Sequence, residues 1–334
     1  MATRAPSQQL VTVFGGSGFV GRHVVRALVQ RGYRVRVAVR RPDLAGFLQP
    51  LGVVGQIHAV QANLRYPASV AAAVKGADAV VNLVGIMQQS GRQSFPAVQA
   101  NGARAVAQAC AAAGIDRLVH VSALGADAES RSVYARTKAE GEAAMFASVP
   151  GAVVLRPSVM FGPEDSFFNR FASMARMMPV LPLVGDGVTK FQPAFVGDVA
   201  EVVARAVDGT VAGGRVYELG GPEVLSMREI VEQICEITGR KRLLAPLPFP
   251  VAKLAGRVLE VVDSLTLGLI PDELVITSDQ AILLQNDNLV SAGAKAEGRD
   301  FAGLGIAPTS VEAVVPSYLW RFRKTGQFDT ARAN

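Results

Sequence analysis

At 334 residues, half of them apolar and 19% charged, the chain reads as globular rather than disordered. It is long enough for a main domain with a smaller lobe attached. The net charge of +6 is carried mostly by arginine and without a run of five like charges, which excludes a polybasic nucleic-acid or membrane arm. Cys110 and Cys235 lie far apart and form no CxxC, and His23, His58 and His120 show no ligand spacing. Those features predict a reducing compartment, two small buried thiols and no metal site.

In chain order, Val11–Phe14 reads as the first strand, followed by a glycine-rich turn and an apolar stretch around Val24–Leu28 that reads as helix. Strand two is expected at Val35–Val39, strand three at Ile57–Val60, a helix at Val70–Val74 and strand four at Ala79–Val84. A long alanine-rich helix follows over Ala97–Ala113, ended by Gly114. Strand five is Leu118–Ser122, a helix covers Tyr134–Phe146, and strand six is Val153–Arg156. Regular alternation with apolar strands predicts an α/β fold: a doubly wound parallel Rossmann sheet covered on both faces. Beyond Pro157 the texture shifts to Pro, Gly and Phe with shorter elements. The expected organisation is a dinucleotide-binding domain over residues 8–160 and a smaller C-terminal α/β lobe over 161–325, interleaved with late Rossmann elements. With the first strand beginning about ten residues in, no signal peptide is expected. No apolar run of ~20 residues is free of charges, so no transmembrane helix is expected.

The turn after strand one is Gly15-Gly16-Ser17-Gly18-Phe19-Val20-Gly21. Strand, glycine-rich turn and helix together are the context in which backbone N–H groups can meet a pyrophosphate at close range. The G-x-x-G-x-x-G spacing resembles the short-chain dehydrogenase/reductase superfamily in its extended or atypical branches. An NAD-preferring domain places an acid at the end of strand two. Here that position reads Val39-Arg40-Arg41-Pro42, two guanidiniums suited to a 2′-phosphate. The prediction is NADP(H), with Arg40 as the main contact and Arg41 beside it.

Tyr134 and Lys138 form Y-x-x-x-K on a predicted helix, one turn apart on one face. A phenol titrates near 10, and an adjacent ammonium brings its phenolate toward working range. The resemblance to the superfamily implies further roles. Ser122 would polarise a substrate carbonyl, and Asn101 in the preceding helix would support the lysine. Asn63 and Leu64 would lie beside the adenine. Val84 and Gly85 after strand four, with Pro157 and Ser158 after strand six, would complete the cofactor site together with Tyr134 and Lys138.

Later segments narrow the resemblance. Leu155-Arg156-Pro157-Ser158 with Phe161–Asp165 and Phe167–Phe171 form one signature, and Gly185–Gly187 with Phe191-Gln192-Pro193 and Val196–Ala200 a second. Tyr217–Pro222 is a third, and Thr277–Gln280 with Leu284 and Asp287-Asn288 a fourth. Together they resemble, nearly along the whole chain, atypical short-chain dehydrogenases (NAD-dependent epimerase/dehydratase-like) related to the nucleotide-binding accessory subunit of respiratory complex I. That family implies a structural or assembly role, complex I subunits as partners and a cytoplasmic protein, peripheral on the cytoplasmic face of the inner membrane as part of complex I. The short segment before the first strand points to a bacterial member. The intact Tyr134/Lys138 pair keeps a different class open: an active reductase, dehydrogenase or epimerase/dehydratase on a small carbonyl, quinone-like or nucleotide-sugar substrate. No nucleic-acid partner is expected. The amphipathic stretch Val251–Leu269 and the aromatic-basic segment Tyr318–Lys324 suit either a membrane or acidic-partner contact, or packing on the protein's own core.

Overall fold

The computed structural model describes residues 5–254, 256, 277–324 and 326. Beyond residue 256, the stretch 251–269 lies outside the described residues. The elements in order are β1 (Leu10–Phe14), α1 (Phe19–Gln30), β2 (Arg34–Val39), β3 (Ile57–Gln61), α2 (Pro67–Val74), β4 (Ala79–Asn82), α3 (Asn101–Ala112), β5 (Leu118–Val121), α4 (Val133–Ser148) and β6 (Val153–Pro157). There follow β7 (Met160–Phe161), α5 (Phe168–Met177), β8 (Val180–Val184), β9 (Lys190–Phe191) and β10 (Ala194–Phe195). The chain continues through α6 (Val196–Asp208), β11 (Arg215–Leu219), β12 (Leu225–Ser226), α7 (Met227–Ile237) and β13 (Leu243–Leu247), with short helices after them.

The chain divides into two compact units. The first holds Met1–Pro157, Val196–Leu219 and Ala292–Ile306; the second holds Ser158–Phe195, Gly220–Ser291 and Ala307–Asn334. In the first, seven strands run in the order β11-β6-β5-β4-β1-β2-β3, all parallel. This is a doubly wound sheet whose order reverses between β1 and β4, the place where such folds bind ligands at the strand C-termini. Strands β1, β4 and β5 are buried along nearly their whole length, which is why each is apolar but for one residue, Thr12, Asn82 and His120 in turn. Helix α1 buries Val24, Val25, Leu28 and Val29 along one stripe, each side chain contributing about 1.5–3 kcal/mol of transfer free energy. Cys110 belongs to a core cluster with Phe14, Leu118 and Met145, and burial pushes its thiol up to about 12. Cys235 is only half-buried, in contrast to the sequence expectation.

The second unit is built from short paired strands: β7 with β10, β9 with β12, and β8 with β13. Its core gathers Phe161, Phe168, Leu181, Ile230, Val315, Tyr318 and Leu319. The Asp165 carboxylate accepts from the backbone of Gly162, Phe168 and Asn169 and from the Tyr318 hydroxyl, the last at 2.6 Å. That buried acceptor anchors the C-terminal segment. The chain signatures around Gln192 and Asn288 also prove to be fasteners. Gln192 N donates to Asn288 O at 3.2 Å, Asn288 N donates to Lys190 O at 2.8 Å, and Asp287 Oδ1 accepts from Lys190 N at 2.8 Å. Among the described residues no helix is long and apolar enough to cross a membrane.

Candidate functional site

The glycine turn lies between the C-terminus of β1 and the start of α1. Gly15 adopts φ +77° and donates its N–H to Ala38 O at 3.1 Å. A Cβ there would stand 3.2 Å from Val84 Cγ2, so the turn is laid directly against the segment leaving β4. Gly21 is the tightest point: a Cβ would lie 2.3 Å from Gly15 O. Gly18 sits at the N-cap of α1 without a side chain to cap it. The first-turn N–H groups of α1 are therefore left to an incoming acceptor, and the helix dipole favours an anion there. Gly16, Ser17, Phe19 and Val20 complete the same turn and first helical residues. Bare Cα positions at Gly15 and Gly21 let the turn close on the segment after β4 and on itself, which holds the uncapped N-terminus of α1 in a geometry that suits a dinucleotide pyrophosphate.

Arg40 and Arg41 follow the end of β2, both exposed. Arg41 is committed to Asp43, with Nη2 at 2.7 Å from Oδ2, whereas among the described residues Arg40 Nη1 donates to the neutral Gln93 amide and to no carboxylate. Of the two, Arg40 keeps its charge available. Asn63 caps its own turn, Oδ1 accepting from Arg65 N at 3.1 Å, and Leu64 is in the core against α3. Val84 N donates to Asn82 Oδ1 at 3.2 Å. Strand four thus ends at Asn82, two residues earlier than expected, because the asparagine side chain takes over a backbone bond. Gly85 lies beside the lysine site: a Cβ there would be 3.2 Å from Lys138 Nζ.

The Y-x-x-x-K pair sits in the first turns of α4, whose N-cap Ser132 accepts from Ala135 N. Tyr134 is half-buried with its ring edge-to-face on Phe95 at 5.6 Å. Lys138 Nζ lies 5.8 Å from the Tyr134 ring centroid and donates to Val121 O at 3.3 Å. It therefore joins α4 to the last residue of β5, next to Ser122. Ser122 N is held by Leu155 O at 2.7 Å, while its Oγ is buried with no partner among the described residues. An orphaned buried hydroxyl is costly and suits a site where a ligand oxygen completes the bonding. Burial lowers the Lys138 ammonium to about 8. The nearby Glu142 opposes that shift, but its carboxylate is already held bidentately by Arg156 of β6, at 2.9 and 2.6 Å. His120, on the same face of β5 as Ser122, is buried and pushed down to about 3, by burial first and by the Lys138 ammonium second. It stays neutral, with Nδ1 3.2 Å from the Asn82 amide.

Asn101 is a correction. The expected helix over 97–113 opens with a π-helical turn, Pro96–Ala100, before α3 begins. This wide turn shifts the register, leaving Asn101 exposed, its Oδ1 accepting from Arg104 Nη1 at 2.7 Å. The polar side chain turned toward α4 is Gln99, which sequence reasoning missed. Gln99 is 2% exposed, donates to Ile86 O and accepts from Thr137 Oγ1, each at 2.8 Å. A lone amide between Val98 and Ala100, in a helix with an apolar face, was the available signal. Gly141 makes this approach feasible, since a Cβ there would be 2.9 Å from Gln99 O.

Pro157 ends β6 and accepts from Leu124 N at 3.0 Å. Ser158 belongs to the second unit, where its hydroxyl donates to Asn288 Oδ1 at 2.7 Å and accepts from Gln192 N at 3.3 Å. In the first unit, the structure brings together the glycine turn, Val84, Gly85, Ser122, Tyr134 and Lys138 at the C-terminal edge of the sheet.

Comparison with known proteins gives the family and the fold. Residues 11–220 match the model of the NAD dependent epimerase/dehydratase family. Over 320 residues the chain is 32% identical to NADH dehydrogenase (ubiquinone) 1 alpha subcomplex subunit 9, mitochondrial, of Arabidopsis thaliana, covering 95% of this chain and 79% of the plant protein. It is 34% identical over 273 residues to ceramide reductase of Caulobacter vibrioides, covering 80% of this chain and 81% of that one. Among solved structures, the NADPH-dependent quinone oxidoreductase of Escherichia coli complexed with NADPH superimposes with a TM-score of 0.70. That match has 21% identity over 93% of this chain and 99% of the other, a likeness of fold. The chain belongs to the NAD dependent epimerase/dehydratase family, in the short-chain dehydrogenase/reductase superfamily.

Proposed function

We propose that this protein is an NADP(H)-binding accessory subunit of a respiratory NADH:ubiquinone oxidoreductase, peripheral on the cytoplasmic face of the inner membrane as part of that complex. The carrying observation is the likeness along 95% of the chain to a protein named as a subunit of such an enzyme. NADP(H) is favoured over NAD(H) by Arg40, an exposed guanidinium at the end of β2 where an acid would serve the 2′-hydroxyl. Arg41 stands beside it, partly neutralised by Asp43. The glycine turn would hold the pyrophosphate, with Asn63 and Leu64 toward the adenine and Val84, Gly85 and Pro157 toward the nicotinamide.

A second reading rests on Ser122 Oγ, buried without a partner beside the Lys138/Tyr134 pair. This is the arrangement an active NADP-dependent reductase needs for a small carbonyl, quinone-like or nucleotide-sugar substrate. A bound nicotinamide would supply or accept the hydride. Ser122 would donate a hydrogen bond to the carbonyl oxygen, and Tyr134 would exchange a proton with it. Lys138, charged at neutral pH and near the ring, would favour the phenolate. Native purification from the source membranes at low salt tests the two readings together. Complex I subunits co-purifying with tightly held NADPH are expected. A lone protein whose nucleotide exchanges freely would overturn the accessory reading and leave the reductase.

A further inference from the structure

Three arginines in the second unit fasten together separate chain segments. Arg242 Nε donates to Ala175 O in the last turn of α5 at 2.6 Å. Arg240 grips Phe322 O through Nε and Nη2 at 3.1 and 2.9 Å, and Arg323 Nε reaches Ile237 O at the end of α7 at 2.7 Å. These bonds complete helix C-termini and a chain turn. They use carbonyl oxygens, however, so the charges are not cancelled. Arg176 and Arg321 add two more guanidiniums, 5.8 and 5.3 Å from the Phe322 ring centroid. Among the described residues none of these five arginines is within ion-pairing distance of a carboxylate. Crowding is evident in Arg240, whose guanidinium is pushed down by burial and then by Arg242 and Arg176.

The same segments expose large apolar side chains. Val180 and Leu243 are register partners in the β8–β13 pair, and they are 36% and 67% exposed. Met177, one residue beyond Arg176, is 52% exposed, and Trp320, one residue before Arg321, is 37% exposed. The C-terminal segment therefore divides its aromatics: Tyr318 is buried on Asp165 and Phe322 packs on the core, while Trp320 is left at the surface. Fixed cations interleaved with exposed Trp, Met, Leu and Val match an anionic bilayer surface. There the negative potential meets the charge, and the headgroup boundary takes the indole and the aliphatic groups. An acidic peptide would answer the charge alone and leave Leu243 and Met177 in water.

We propose that the surface formed by residues 175–180, 240–243 and 320–323 docks directly on anionic lipid headgroups. This deepens the peripheral placement proposed above, but the contact is with lipid itself and needs no other subunit. The test is co-sedimentation of the purified full chain with vesicles of phosphatidylcholine, with and without phosphatidylglycerol, across a salt series. Binding is expected only to the anionic vesicles, falling as salt rises. Arg176→Gln should weaken it about fivefold, the usual effect of one cation at such a surface. Leu243→Ser, an exposed change that spares the core, should weaken it without altering its salt dependence. Unfolding curves on both variants would establish that each is folded. Equal binding to neutral vesicles, no sedimentation at low salt, or anionic binding unchanged in both variants would each overturn the proposal. Loss of complex I co-purification with vesicle binding intact would remove the accessory-subunit reading and leave this one standing.

Discussion

Lys138→Met should make the protein without nucleotide more stable at neutral pH. Lys138 is 5% exposed, its Nζ donates to Val121 O, and Glu142, whose charge favours the ammonium, is occupied by Arg156. A folded-state pKa of about 8 against 10.5 corresponds to a penalty of about 3 kcal/mol on the charged form. Methionine keeps the length of the stem and removes the charge; it also loses a hydrogen bond of about 1 kcal/mol. The net gain at pH 7 is about 2 kcal/mol. The sign with pH follows from the lowered folded-state value. Below pH 8 the group is charged in both states and the wild type carries the full penalty. Between about 8 and 10.5 the unfolded chain holds the extra proton, so wild-type stability rises relative to the variant. Above 10.5 the penalty has gone and the hydrogen bond leaves the wild type slightly ahead. Urea unfolding of both proteins at pH 7 and pH 10, nucleotide removed, reads this directly. A variant less stable at pH 7, or a difference that does not close at pH 10, would refute a buried and uncompensated ammonium.

Two further predictions concern the cofactor. Arg40→Asp should cost NADPH affinity about 1.5–3 kcal/mol, the range for a hydrogen bond to a charged group, and should improve NADH binding; titration of both nucleotides checks it, and unchanged preference would clear Arg40 of the role. Gly21→Ala places a methyl about where Gly15 O already stands, 2.3 Å away, so the turn must open. Nucleotide affinity should fall at least tenfold, with a stability loss of about 1–3 kcal/mol, measured by titration and thermal unfolding.

Much of the first unit was legible because its determinants are local. Six parallel strands read as short apolar runs, and the glycine turn announces a close backbone approach that no other residue permits at Gly21. The tyrosine and lysine are one helical turn apart, so their pairing needed only the helix. What escaped was set by register or by distance along the chain. The π turn at Pro96–Ala100 exchanges Asn101 for Gln99, and helical periodicity alone carries no mark of such an insertion. The Arg156–Glu142 pair, which decides how much relief Lys138 receives, joins a strand to a helix through tertiary structure. Likewise β11 joins the sheet beside β6 from far downstream. Its seat depends on the completed edge of the sheet rather than on its own pattern.

The same charge balance bears on whether the nucleotide is a fixture or a reactant. A ligand at a hundred times its dissociation constant stabilises the folded state by about 2.7 kcal/mol, close to the penalty carried by Lys138. A nucleotide bound at that level would be a thermodynamic part of the folded protein under either reading, so tight binding by itself does not argue against turnover. Ser122 separates the two. Its hydroxyl has no partner among the described residues, so Ser122→Ala should leave the stability of the nucleotide-free protein unchanged or slightly raised. If the cofactor is purely structural, NADPH affinity and co-purification with respiratory subunits should also survive. If the site reduces a carbonyl, turnover should fall about 10²-fold or more, as for loss of one donor to a developing oxyanion, while NADPH affinity holds. A marked loss of NADPH affinity or of fold stability in Ser122→Ala would show the hydroxyl to be paired after all, and would remove the observation on which the reductase reading rests.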